Sequence, residues 1–187
     1  MARCSVMIDG GYLDKVLHND FSGVRVDIGK LADELCGGME RLRTYYYHCL
    51  PFQSTPPTQD ERERFAAMDK FIYNLKKLPR FQFRQGKLQK IGNEYKQKRV
   101  DILMAVDLVR MASNRQIEKA MIVTGDSDLV PAIEAARDEG VVVVLYYSAN
   151  ARHDELLQAC DERYEITRNL IEKTKLVVAA PAKPAKS

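Results

Sequence analysis

Two aspartates one residue apart, Asp126 and Asp128, stand in the segment TGDSD, where a short apolar run gives way to apolar positions at helical spacing. A third, Asp9, closes another apolar run, and a fourth, Asp101, opens a further stretch of helical spacing. Carboxylates brought within a few ångströms repel one another, and neutral pH keeps them ionised only if a cation joins them. Oxygen-only ligation favours Mg2+ or Mn2+ over zinc. Such an ion lowers the pKa of a bound water and stabilises the charge that builds on a phosphodiester in an in-line displacement. The chemistry implied is metal-assisted hydrolysis.

Residues 119–139, KAMIVTGDSDLVPAIEAARDE, read as a strand feeding a helix, with Leu129, Val130, Ile133 and Ala136 on the helix's apolar side. Val6, Met7 and Ile8 read as a central strand ending at Asp9-Gly10-Gly11, and residues 100–111 as a helix with Asp101 in its first turn. In a parallel sheet the carboxyl ends of all strands point one way. Residues just past Ile8 and just past Thr124 then face each other across a crevice. Asp107 competes with Asp101 for the fourth place, but six residues on a helix is a rotation of roughly 240°. Asp101 is preferred, and Asp107 is expected as an outer participant or a surface residue.

Each aspartate alone also has a plain structural reading. Asp9 suits a turn before two glycines, Asp126 and Asp128 suit a helix cap and its neighbour, and Asp101 suits a first-turn acid. Coincidence of placement shifts the balance, since two strand ends and one helix start all carry Asp. Thr124 and Ser127 lie beside the acids, where their hydroxyls can hold a metal water or a phosphate oxygen. Lys98 and Arg99, just before Asp101, are the candidates for gripping phosphate.

The chain has 187 residues, is 45% hydrophobic and carries a net charge of +3. It can bury a substantial core. We expect one domain over residues 1–172, followed by an Ala/Pro/Lys tail, 173–187, disordered by composition. Neither a signal-peptide core nor a membrane-crossing run is present, which points to a cytoplasmic protein with no membrane partner. The four cysteines are scattered singly and read as small buried residues rather than a disulfide frame. Between Lys76 and Arg99 stand nine Lys/Arg against one acid, Glu94, a charge of +8 that leaves −5 for the rest. With Phe81, Phe83 and Tyr95 among its cations, this block suits a polyanion, nucleic acid above all.

Elsewhere, Asp27 precedes an amphipathic helix that ends at Gly37-Gly38, and LRTYYYHCL, residues 42–50, reads as a strand. Residues 61–78 read as the longest helix, with Phe65, Met68, Ile72 and Leu75 as its core face. Residues 80–84 read as a half-exposed strand and 86–98 as an irregular, mobile loop. Residues 141–147, VVVVLYY, have the character of a strand covered on both faces. After it come a helix near 153–160, a short strand near 164–166 and a helix or frayed end at 168–175. Strands alternating with helices in this way imply an α/β fold with a mostly parallel sheet.

IDGGYL (8–13), RVDILMAVDLV (99–109) and VTGDSDLVPAIEAARDEGVVVVL (123–145) resemble the three signature blocks of the NYN domain, the LabA-like branch of the PIN-like nuclease superfamily. SANARHDELLQACDERYEI (148–166) resembles that family's closing block. The resemblance implies a three-layer α/β/α Rossmann-like fold and hydrolysis of RNA by acids that bind Mg2+ or Mn2+. Carried over by position, those acids are Asp9, Asp101, Asp126 and Asp128. Asp161 also matches a family position and reads as structural or as a support behind the metal-binding acids. Tyr12 stands where many members have Asn, and Arg99 where Gly is frequent.

The leading reading is a metal-dependent nuclease, RNA being the more expected substrate than DNA. The alternative is a non-catalytic module that binds nucleic acid or protein on the same fold. A metal-dependent phosphatase uses the same acids but leaves the basic segment without a purpose. Neither GxSxG nor GxxxxGK is present, and no GxGxxG follows the first strand. A homodimer is compatible with such a domain.

Overall fold

The computed structural model describes residues 2–91 and 94–176, with the side chains of 89–91 and 94–98 outside that description. Its centre is β1 (Arg3–Asp9), in which Cys4 to Ile8 are buried without interruption. An unbroken buried run is what a strand covered on both faces requires. Beside it lie β2 (Glu40–His48) and β3 (Phe81–Gln85) on one hand, and β6 (Lys119–Val123), β7 (Val142–Tyr147) and β8 (Glu162–Glu165) on the other. The order is β3-β2-β1-β6-β7-β8, and every neighbouring pair is parallel. The expected α/β class therefore holds.

Side chains of the pleat alternate between two cores. Met7, Tyr45, Tyr47, Ile122, Val143 and Leu145 face one, while Val6, Ile8, Tyr46, Met121, Val123 and Val144 face the other. The first is closed by α4 (Val100–Ser113), α5 (Val130–Asp138) and α6 (Asp154–Ala159). The second is closed by α1 (Gly10–Asp20), α2 (Ile28–Cys36) and α7 (Arg168–Thr174), with Leu75 from α3 (Gln59–Lys77). Each large apolar side chain so enclosed contributes about 1.5–3 kcal/mol. Helix layers on both faces complete the three-layer arrangement. All four cysteines are buried, and none is in a disulfide.

Local signals set the helix ends. Asp27 accepts from the backbone N–H of Lys30, and Gly37 closes α2 at φ 57. Thr58 and Glu61 form a reciprocal capping box at the start of α3. Hydrogen bonds from Ser54, then Thr58, hold the Glu61 carboxyl down at about 2. Of the apolar stripe expected on α3, only Ile72 and Leu75 are buried, and Phe65 and Met68 are half-buried. This helix lies at the outer side of the sheet and keeps most of its surface in solvent.

One expected element is corrected. Instead of the irregular loop expected over 86–98, β4 (Lys87–Ile91) and β5 (Glu94–Lys98) pair antiparallel as a separate two-stranded sheet, with 92 and 93 outside the described residues. The first residues of the expected tail, 173–176, are ordered against the domain. Lys173 and Thr174 belong to α7, Lys175 bridges Val26, and the Leu176 N–H donates to the Arg25 carbonyl. Residues 177–187 of that tail lie outside the described residues. Among the described residues no helix is long and apolar enough to cross a membrane.

Candidate metal centre

Strands β1 and β6 are adjacent, and the chain leaves them toward opposite edges of the sheet. Their carboxyl ends flank the point at which open α/β sheets form a crevice. Asp9 ends β1 with extended backbone and caps α1, its Oδ1 accepting from the Tyr12 N–H at 3.0 Å. Gly10 follows because nothing larger fits. A Cβ there would lie 2.6 Å from the Tyr46 ring and 2.7 Å from His48.

After β6, the buried Thr124 accepts from the Asp126 N–H through Oγ1 at 3.2 Å. Asp126 in turn accepts from the Asp128 N–H through Oδ1 at 2.9 Å, which starts a 3-10 turn over Ser127–Leu129 before α5. The capping reading of Asp126 is thus correct, and it coexists with a second property. Carboxylate oxygens of Asp101, Asp126 and Asp128 all lie within 4.8 Å of one another. Asp101 reaches them from the first turn of α4.

Asp9 stands outside that group of three, with its carboxyl pushed above the usual range. Burial is the main cause. The N–H groups of Tyr12 and Gly11 and the nearby His48 work against it, and the charge of Asp126 adds to it. Asp9 therefore faces the acidic cluster electrostatically while one of its oxygens serves the helix cap. Three gathered carboxylates, half-buried to exposed, form an all-oxygen donor set. That set fits a hard divalent cation.

Tyr12 is a residue whose part the sequence did not disclose. Its ring packs on Gly125, where an added Cβ would lie 2.4 Å from Cε2, and its hydroxyl accepts from the Ser148 N–H at 2.8 Å. One side chain thus ties the start of α1 to the loops after β6 and β7. The signal was present as the Gly of TGDSD, which marks a close approach, but not as the identity of the approaching group.

Asp107 is neither a surface residue nor a member of the cluster. It is 4% exposed and accepts from Arg84, Arg110 and Tyr47. Arg84, counted with the basic block, is therefore turned inward. Phe81 and Phe83 are half-buried against the core on the α1 side, and the Arg41 guanidinium lies 5.0 Å from the centre of the Phe81 ring. Arg99 is exposed and holds φ 73 at the N-cap of α4, a left-handed conformation that favours glycine. The side chains of Lys98 and Tyr95 lie outside the described residues. Asp161 accepts from the Val143 N–H at 2.8 Å and from Arg137 at 2.8 Å, at the other end of β7, and is structural.

The model of the NYN domain family matches residues 3–167. Members of that family are in general nucleases and typically use a divalent metal. The crystal structure of a protein of unknown function, VPA0982 from Vibrio parahaemolyticus RIMD 2210633, is similar with a TM-score of 0.69 at 14% identity, covering 94% of this chain and 96% of that one. At such identity the likeness speaks for the fold. No match is found among curated proteins.

Proposed function

We propose that this chain, which belongs to the NYN domain family, is a metal-dependent nuclease that hydrolyses phosphodiester bonds of RNA. The observation that carries the reading is the convergence of Asp101, Asp126 and Asp128 at the carboxyl edge of the sheet. These three would hold Mg2+ or Mn2+, with Asp9 completing the acidic rim. A divalent ion there supplies charge neutralisation at the phosphodiester and a lowered pKa for a bound water.

The chain's own residues do the positioning. Thr124 and the α1 cap fix the backbones of the two acidic loops, and Ser127 lies between the two paired acids. Arg99 and Lys98, at the junction of β5 and α4, offer charge to the phosphate backbone. RNA over DNA follows from the family resemblance. Four buried cysteines outside any disulfide suit a reducing compartment, and we read the protein as cytoplasmic.

The test is cleavage of labelled single-stranded RNA and DNA in Mn2+, Mg2+ or EDTA, with Asp126→Asn as comparison. Metal-dependent cutting of RNA that the substitution abolishes supports the reading. Binding of the strand without cutting in either metal replaces it with a non-catalytic nucleic-acid module.

A further inference from the structure

Residues 86–99 leave the sheet after β3 and return as α4, and an ion pair joins the two ends of this excursion. Arg84, near the end of β3, donates from Nε to Oδ2 of Asp107 at 2.8 Å and from Nη2 to Oδ1 at 2.9 Å. This bidentate fork fixes orientation as well as distance. The Tyr47 hydroxyl on β2 donates to Oδ2 at 3.1 Å, and Arg110 donates to Oδ1 at 2.8 Å. The Arg84 guanidinium also lies 5.2 Å from the centre of the Tyr45 ring. Burial, and then the charge of Asp107, holds the Tyr47 phenol well above its ordinary range, so it stays a donor.

Apolar contacts resist separation of a helix from a sheet but only weakly resist sliding along it. Three directed bonds from β2 and β3 onto one buried carboxylate resist sliding as well, while Arg110 braces that carboxylate from within α4. Asp101 lies on the same helix, six residues and about 9 Å nearer its N-terminus. A small shift of α4 would therefore be carried directly to Asp101, and a small shift at the end of β3 to the hairpin that follows it.

We infer that Asp107 is a positioning residue for the proposed reaction. Through Arg84 and Tyr47 it locks α4 and the base of the β4–β5 hairpin to the sheet, and so sets where Asp101 stands relative to Asp126 and Asp128. The inference rests on the nuclease reading for its activity readout, but not for its metal readout.

The experiment compares wild type with Asp107→Asn and with Arg84→Lys, which keeps the charge and loses the fork. Mn2+ affinity is measured by calorimetry, kcat and KM on single-stranded RNA at 25 °C, and folding by circular dichroism. Both variants are expected to weaken Mn2+ binding and to lower kcat/KM by about tenfold or more, the range for residues that support metal ligands. Amide exchange should rise across 86–103. A variant that melts earlier yet keeps wild-type Mn2+ affinity and kcat/KM at 25 °C overturns the inference. If Asp107→Asn fails to fold, Arg84→Lys decides by the same criteria. A wild type that binds Mn2+ but cuts no RNA overturns the nuclease reading, and the affinity comparison still decides the positioning role. A wild type that binds no Mn2+ overturns both.

Discussion

Asp101 and Asp107 share one helix and one chemistry, and the protein treats them in opposite ways. Asp107 is buried, and two guanidinium groups and a phenol satisfy its oxygens. Asp101 is half-buried and shares its space with two other carboxylates. The first arrangement balances its charge from within the chain; the second leaves negative charge gathered at a sheet edge. Removing a balanced charge should cost stability, whereas removing one of the gathered charges should cost function and spare the fold.

The sharpest test is Asp126→Asn. It should lower kcat/KM on RNA by about 10²–10³-fold, as several kcal/mol of charge stabilisation are lost. Thermal melting without metal should stay put or rise, because repulsion is relieved. A large fall in Tm would erase the contrast.

From the other side, Asp107→Ala leaves Arg84 without its buried partner and should cost about 3 kcal/mol. For a chain of this size that is a drop in Tm of roughly 6–12 °C by calorimetry. Asp128→Ala, measured alongside, should move Tm by no more than about 1–2 °C, the scale of a surface substitution.

Adding Mn2+ probes the gathered charges directly. At about 100 times its dissociation constant the ion should stabilise wild type by about 2.7 kcal/mol. Asp126→Asn should lose that rise while Asp161→Asn keeps it, as read by differential scanning fluorimetry with and without the metal.

Gly125→Ala presses a methyl group into the Tyr12 ring and should destabilise by about 1–3 kcal/mol. Adding Tyr12→Ala should recover part of that loss in a double-mutant cycle. An additive cycle would show that the two loops are not joined through this ring.

The smallest effect is expected at Arg99. Replacing it with Gly relieves a left-handed backbone and should stabilise by roughly 1 kcal/mol. RNA binding should weaken at the same time, and its dependence on log salt should become shallower by about 0.7 for one lost phosphate contact.

Sequence patterns disclosed what is local. The runs ending at Asp9 and Thr124, the helix opening at Asp101 and the Asp27 cap are all visible in short windows, because burial on both faces and helical spacing leave periodic marks. What escaped depends on partners far along the chain. Arg84 and Asp107 are 23 residues apart with a hairpin between them, so nothing in either neighbourhood distinguishes a buried ion pair from two surface charges. The hairpin strands KLQKI and EYKQK are poor in β-branched residues and owe their form to pairing with each other rather than to composition. Asp9 reads in the sequence as a turn or a metal ligand, and the structure makes it the N-cap of α1. Its 3.0 Å bond from the Tyr12 N–H is a contact between near neighbours that depends on a helix following directly upon the strand.

The same closed pair that pins α4 also delimits a cassette. The chain departs just after Arg84 and re-enters at Arg99, so the interval hangs from a fixed doorway whose frame belongs to the sheet and the helix. Hairpins of other lengths or sequences grafted between those posts would inherit the anchorage without rebuilding the domain. Hairpin and scaffold can then diversify separately, with the doorway as the part that must be copied whole.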